Sequence, residues 1–153
     1  MNAKVNVIDK ITSLSGVVHV IDRTGIFTNG VRRPFEWPII NDIDKAVTSP
    51  SGVFISLIVH GKLYLVTICQ SQLDLEMLGY QEILFCDSTF NNEESLFIAL
   101  DNDSVFHFYE LYPPLEICTK VARIPEFPMS FKYYQLQNAF KITTKTDVNF
   151  LFK

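Results

Sequence analysis

Three histidines, His19, His60 and His107, and three cysteines, Cys69, Cys86 and Cys118, are the side chains of this sequence best suited to hold a metal or attack a substrate. A metal site needs several such ligands converging, and close spacing is how a sequence usually announces it. Here the histidines are isolated from one another, and no cysteine lies within four residues of a second cysteine or a histidine. Packed or solvated roles are expected instead, with His60 at a hairpin tip and His107 inside a strand. Asp101-Asn102-Asp103 has the acidity of a calcium loop but lacks its glycine and its distant bidentate glutamate. It reads as a polar turn. No phosphate-cradling Gly-x-x-x-x-Gly-Lys, no Gly-x-Gly-x-x-Gly and no Gly-x-Ser-x-Gly occurs. The expectation is a protein with no cofactor, no metal and no catalytic residues, and hence not an enzyme.

Two segments suit recognition better than catalysis. Val31-Arg32-Arg33-Pro34-Phe35-Glu36-Trp37-Pro38 sets two arginines beside a phenylalanine and the single tryptophan of the chain. Arginine and tryptophan dominate interface hot spots because they bury large area and still satisfy polar partners. Leu111-Tyr112-Pro113-Pro114-Leu115 is a short proline-stiffened segment of the kind that aromatic grooves bind. Arg32, Arg33, Phe35, Trp37 and Tyr112 are therefore the candidate partner-binding residues. Both segments read as connections between repeated elements.

Those elements are short strands. The chain has 153 residues, 48% of them hydrophobic and 20% charged, which excludes disorder and fits one domain. Its 13 Phe and 6 Tyr suit pleated sheets. Three stretches share an alternating apolar run, a tight turn and a second run: 15–25, 51–61 and 96–104. The first two superpose at an offset of 36, Ser15 on Ser51, Val17 on Val53 and Ile21 on Leu57. The second and third superpose at 43, Leu57 on Leu100 and Leu63 on Phe106. A weaker copy spans 139–152, and lacks an outer strand of its own because the sequence stops there. Strands are expected at 43–47, 53–59, 63–68, 82–86, 96–100, 105–111, 139–143 and 148–152. The best helical pattern, at 72–79, is at most two turns or an irregular connection. A repeat of roughly 40 residues built of strands signals a propeller blade. The fold class expected is all-β, a propeller-like array of about four antiparallel strand units near 11–30, 42–68, 82–111 and 131–153 of a single β domain, 1–153. A β-sandwich or barrel is the alternative.

The second copy, from Asp42-Ile43-Asp44-Lys45-Ala46-Val47 through Gly61-Lys62-Leu63-Tyr64-Leu65-Val66, resembles the repeats of the regulator-of-chromosome-condensation family. The third, from Leu96 through Phe108, looks like the same strand–turn–strand core. The Ser-Pro-Ser-Gly loop at 49–52 is similar to that of WD-repeat blades. Either resemblance implies a β-propeller. One branch of the first family also implies a guanine-nucleotide exchange factor-like regulator of a small GTPase. The family's loop glycines stand here as Pro50-Ser51 and Glu93-Glu94, and its Trp-Gly is absent, so no catalytic residue is carried over.

The leading functional expectation is a non-catalytic protein–protein interaction module, a scaffold, subunit or adaptor. Four units fall short of the seven blades such propellers commonly use, so the partner expected is a protein that completes the sheet or ring. A net charge of −4 disfavours nucleic acid, although Arg32, Arg33 and Lys132 with Phe131, Tyr133 and Tyr134 interleave cations and rings. The charged N-terminus is no signal peptide. The longest apolar run, 53–59, is far shorter than the roughly 20 residues that span a bilayer. An intracellular protein, cytoplasmic or nuclear, with no membrane partner is expected.

Overall fold

The computed structural model describes residues 7–35, 43–69, 72–78, 82–111, 118–123, 130–134, 139–145 and 148–152. Their regular elements are all strands, and among the described residues no helix is long and apolar enough to cross a membrane. The first sheet contains β1 (Val7–Thr12), β2 (Val18–Asp22), β3 (Gly25–Thr28) and β4 (Val31–Pro34). The second contains β5 (Lys45–Thr48), β6 (Phe54–Val59), β7 (Lys62–Ile68) and β8 (Leu73–Leu78). β9 (Phe85–Phe90), β10 (Leu96–Asp101), β11 (Val105–Glu110) and β12 (Cys118–Arg123) form the third. β13 (Ser130–Tyr134), β14 (Ala139–Thr143) and β15 (Val148–Phe152) form the fourth. In each sheet the strands follow one another in chain order, so every pairing among the described residues is an antiparallel pairing of chain neighbours.

The turns show why the unit repeats. Ser13, Ser49 and Asn91 are buried polar residues at the end of the first strand of their sheets. Ser13 Oγ accepts from the Val17 N–H at 3.0 Å and Ser49 Oγ from Phe54 N–H at 3.0 Å. Asn91 Oδ1 accepts from Ser95 and Leu96 N–H, each at 2.9 Å. Each side chain thus satisfies backbone donors that the bend would otherwise orphan. The next turn in the second sheet is the two-residue hairpin His60-Gly61, with both φ positive (51° and 77°), the type I′ geometry that matches strand twist.

These bonds correct the register read from the sequence. Thr12 pairs Val18, Thr48 pairs Ile55, and Phe90 pairs Phe97. The strands therefore superpose at 37 and 42, not 36 and 43, and Ile21 matches Ile58 and Leu100 rather than Leu57. Val53 is the extra residue: it swells the second sheet's turn and stands 42% exposed. A one-residue slip exchanges the two faces of a strand, so this difference decides which side chains meet the neighbouring sheet.

Two compact units, Met1–Leu78 and Gly79–Lys153, each hold a core. In the first, Ile21 and Ile26 of the first sheet pack against Ile55, Leu57, Val59 and Val66 of the second, with Ile11, Phe35 and Tyr64 at the margin. In the second, Ile98, Leu100, Phe106 and Phe108 of the third sheet pack against Phe140 and Ile142 of the fourth. Alternate residues on adjacent strands supply each layer, as the pleat requires.

Several strand boundaries differ from expectation. The helix or irregular connection expected at 72–79 is not what its described residues, 72–78, form: Leu73–Leu78 is the fourth strand of its sheet, paired along β7. Leu73 and Leu75 turn to the core while Met77 is 51% exposed, an edge-strand pattern that period 3.6 mimics over so short a run. Val31–Pro34, read as a connection, is also a fourth strand, and Pro34 is tolerated because β4 is an edge. The strand expected at 82–86 runs instead over Phe85–Phe90, right up to Asn91, whose side chain holds the turn.

Candidate functional site

The first sheet ends in a tight β2–β3 turn. Asp22, 2% exposed, accepts at Oδ1 from the Thr24 N–H and hydroxyl, both at 2.7 Å. Its Oδ2 faces Arg32 Nη1 at 3.3 Å from the edge strand β4. Burial works to raise the Asp22 carboxyl, but the Thr24 bonds and the Arg32 charge outweigh it and hold the group below the usual carboxylate value. Thr24 O in turn accepts from Phe35 N–H at 2.8 Å, which ties the exit of β4 to the turn. Gly25 makes this approach possible: at φ +147°, a Cβ there would lie 2.1 Å from Arg33 O.

Between turn and strand exit, Arg23, Thr24, Pro34 and Phe35 line an open groove of about 400 Å³. Its size is that of a small recognition site, with one aromatic ring and one exposed cation. Beside it, Phe27 is 40% and Val31 48% exposed, and the Arg32 side chain is 43% exposed. Apolar surface and cations therefore lie together at this edge.

The two arginines singled out in the sequence part company. Arg32 lies on the same face as its cross-strand partner Phe27 and reaches Asp22. Arg33 points the other way, opposite Ile26, and its Nε donates to Cys69 O of the second sheet at 2.7 Å. Phe35 packs on the core while also lining the groove. Trp37 and Tyr112 lie outside the described residues.

His19 holds the joint between the first and second sheets. Its Nε2 lies 2.8 Å from Gly52 O and its Nδ1 2.7 Å from Thr28 Oγ1, with the ring fully buried. A carbonyl can only accept, so Nε2 carries the proton and Nδ1 of the neutral ring accepts from the hydroxyl. Burial lowers its pKa below the ordinary 6.5, the bond to Gly52 opposes this, and the Arg33 charge adds to the lowering. His107 Nε2 sits 2.8 Å from Asp101 Oδ2, and Asp101 Oδ1 accepts from Asp103 and Val105 N–H. This is turn architecture, matched to Asp22 in the first sheet. Cys69 and Cys86 are half-buried and in no disulfide, and the Cys86 thiol donates to Leu100 O at 3.6 Å; the Cys118 side chain lies outside the described residues. Burial and the neighbouring Asp74 raise Cys69, against an opposing Arg33 charge, so it is a poor thiolate. Among the described residues no group of three His, Cys, Asp or Glu gathers to hold a metal.

No protein-family model matches the chain, and no curated protein sequence matches it. Among solved structures it is similar to the β-propeller domain of Cps50 (Swd1) from Myceliophteria thermophila, with a TM-score of 0.65 at 10% identity. The match covers 89% of this chain and 48% of that one, so the chain spans about half the length of the propeller it resembles. The fold is that of a β-propeller. The propeller reading of the sequence thus holds, and the sandwich and barrel fall away: each four-stranded meander is a blade. The likeness shows the fold alone and does not choose between the two repeat families. What the sequence reading missed at this site was Arg23, Thr24 and Phe27. The signal available was Asp22-Arg23-Thr24-Gly25, whose turn chemistry implies an exposed cation beside a glycine.

Proposed function

We propose that this propeller-like chain is a non-catalytic protein–protein interaction module, a subunit or adaptor of an intracellular assembly. The partner is a protein with an acidic, apolar-studded surface, bound at the groove of Arg23, Thr24, Pro34 and Phe35 and along Arg32. Trp37 and Tyr112 belong to the proposed contact as well. The observation that carries the reading is the groove itself, where the half-buried Phe35 ring and the exposed Arg23 meet at a sheet edge, with the part-exposed Arg32 beside them. Loops held by a stiff scaffold are where binding residues concentrate.

Affinity capture from native extract with the full chain tests it. A defined protein should co-purify and be lost in the double variant Arg23→Ala/Phe35→Ala, and weakened by Trp37→Ala or Tyr112→Ala. An unchanged partner list in all three variants would remove these residues from the contact.

A further inference from the structure

The second sheet ends on β8, and no described strand pairs with its outer edge. The phase of the ladder fixes which backbone groups that edge presents. Ile68 N–H donates to Val53 O at 2.8 Å, towards β6, and Cys69 N–H to Gln72 O at 2.9 Å, on the β8 side. Along the unbroken register of β7 and β8, the pairs Thr67–Asp74, Leu65–Glu76 and Leu63–Leu78 therefore exchange the ladder bonds. The N–H and C=O groups of Leu73, Leu75 and Met77 point the other way, out of the sheet edge.

Natural sheet edges are commonly blunted by proline, by a bulge or by basic side chains. The edge strand β4 of the first sheet follows that rule, with Arg32, Arg33 and a Pro34 that has no N–H to offer. β8 has no proline, no bulge and no basic residue. It carries carboxylates instead. Asp74 and Glu76 share one face of the strand, and Leu73, Leu75 and Met77 share the other. Asp74 is exposed and takes the Cys69 thiol, a weak donor, at 3.4 Å. Glu76 Oε2 is buried with no hydrogen-bond partner among the described residues, so this carboxylate gains from a cation brought close. Met77, on the apolar face, is 51% exposed.

We infer that β8 accepts an extended basic segment of a partner protein as a fifth, antiparallel strand of its sheet. The segment's backbone pairs with Leu73, Leu75 and Met77, and its apolar residues extend the face of Leu75 and Met77. Its Lys or Arg residues stand opposite Asp74 and Glu76. Those positions fall between the new hydrogen-bonded pairs, where opposed side chains come closest and opposite charges stabilise a sheet. A second copy of this strand fits badly: two β8 strands paired antiparallel about Leu75 set Asp74 against Glu76, like charge on like. The contact uses a different sheet from the groove and a partner chemistry of the opposite sign.

A capped peptide of alternating valine and lysine, titrated into the full chain, tests this by fluorescence anisotropy and by amide hydrogen exchange. Binding should slow exchange at Leu73, Leu75 and Met77 at least about tenfold, and change Asp74 and Glu76, already bonded to β7, far less. The same peptide N-methylated at its valines, or with glutamate in place of lysine, should bind at least about tenfold more weakly. Asp74→Lys should weaken binding of the lysine peptide likewise. So should Met77→Pro, with the far-ultraviolet dichroism unchanged, because the Met77 N–H lies outside the ladder. No binding, binding that leaves the three amides unprotected, or equal binding of the N-methylated peptide overturns the inference. Equal binding of the glutamate peptide, or to either variant, overturns it as well. Protection of the same amides in the concentrated chain alone would make a second copy the occupant and overturn the basic strand. Arg23→Ala/Phe35→Ala should leave peptide binding intact, so failure here and failure of the proposed function are told apart.

Discussion

His19 and Asp22 show how single side chains set the acid sensitivity of the first unit. A group whose folded pKa is depressed binds more protons when unfolded, so its stabilising contribution is present above the unfolded pKa and is lost as the pH falls. For His19 the loss begins below 6.5, and for Asp22 below 3.8. Urea unfolding at pH 7.5 and pH 5.5 should thus show weaker stability at the lower pH, and His19→Gln should flatten that difference; an equal slope in the variant would contradict the assignment. His19→Ala should cost roughly 2–4 kcal/mol, since Gly52 O and the Thr28 hydroxyl lose a buried partner. Neither role could be read from a lone histidine in an alternating run. That it is no metal ligand but packed or solvated was the expectation; the partner 33 positions away was not legible, because Gly52 O is a backbone atom and leaves no mark in sequence.

At the scale of the element, the repeat lives in the turns as much as in the strands. Ser13, Ser49 and Asn91 do the same work with different chemistry, so Ser13→Ala, Ser49→Ala and Asn91→Ala should each lower stability by about 1–2 kcal/mol in thermal melts. Indifference at any of the three would mean that its bend is held otherwise. Gly25→Ala should be worse than any of them, since the added methyl strikes the backbone of β4. The strong inner strands Phe54–Val59 and Leu96–Asp101 were legible because their apolar runs and turn residues agree. The edge strands β4 and β8 were not. They carry Arg, Pro, Asp and Glu, which sequence patterning assigns to connections, and only pairing to β3 and β7 makes them strands. The register was missed by one because Val53 is apolar yet belongs to the turn.

For the whole molecule, the central claim is that the chain repeats one antiparallel meander, each copy a strand ladder of its own. Cores formed face to face between sheets follow from that: Leu57→Ala in the first unit and Phe140→Ala in the second should each cost roughly 2–5 kcal/mol, read from denaturant midpoints. The number of units was legible from the spacing of turns. Which apolar residues of the first sheet stand exposed was not, because that depends on which face Phe27 takes, and the face follows from the corrected register. Cross-strand Hα–Hα contacts in a nuclear Overhauser spectrum of the labelled chain test the claim most directly. The account predicts contacts between β3 and β4 and between β7 and β8, following the pairings Phe27–Arg32 and Tyr64–Met77, with no strand of one sheet paired edge to edge with a strand of another. Hydrogen-bonded contacts running on from the first sheet into the second, as a continuous barrel requires, would contradict it.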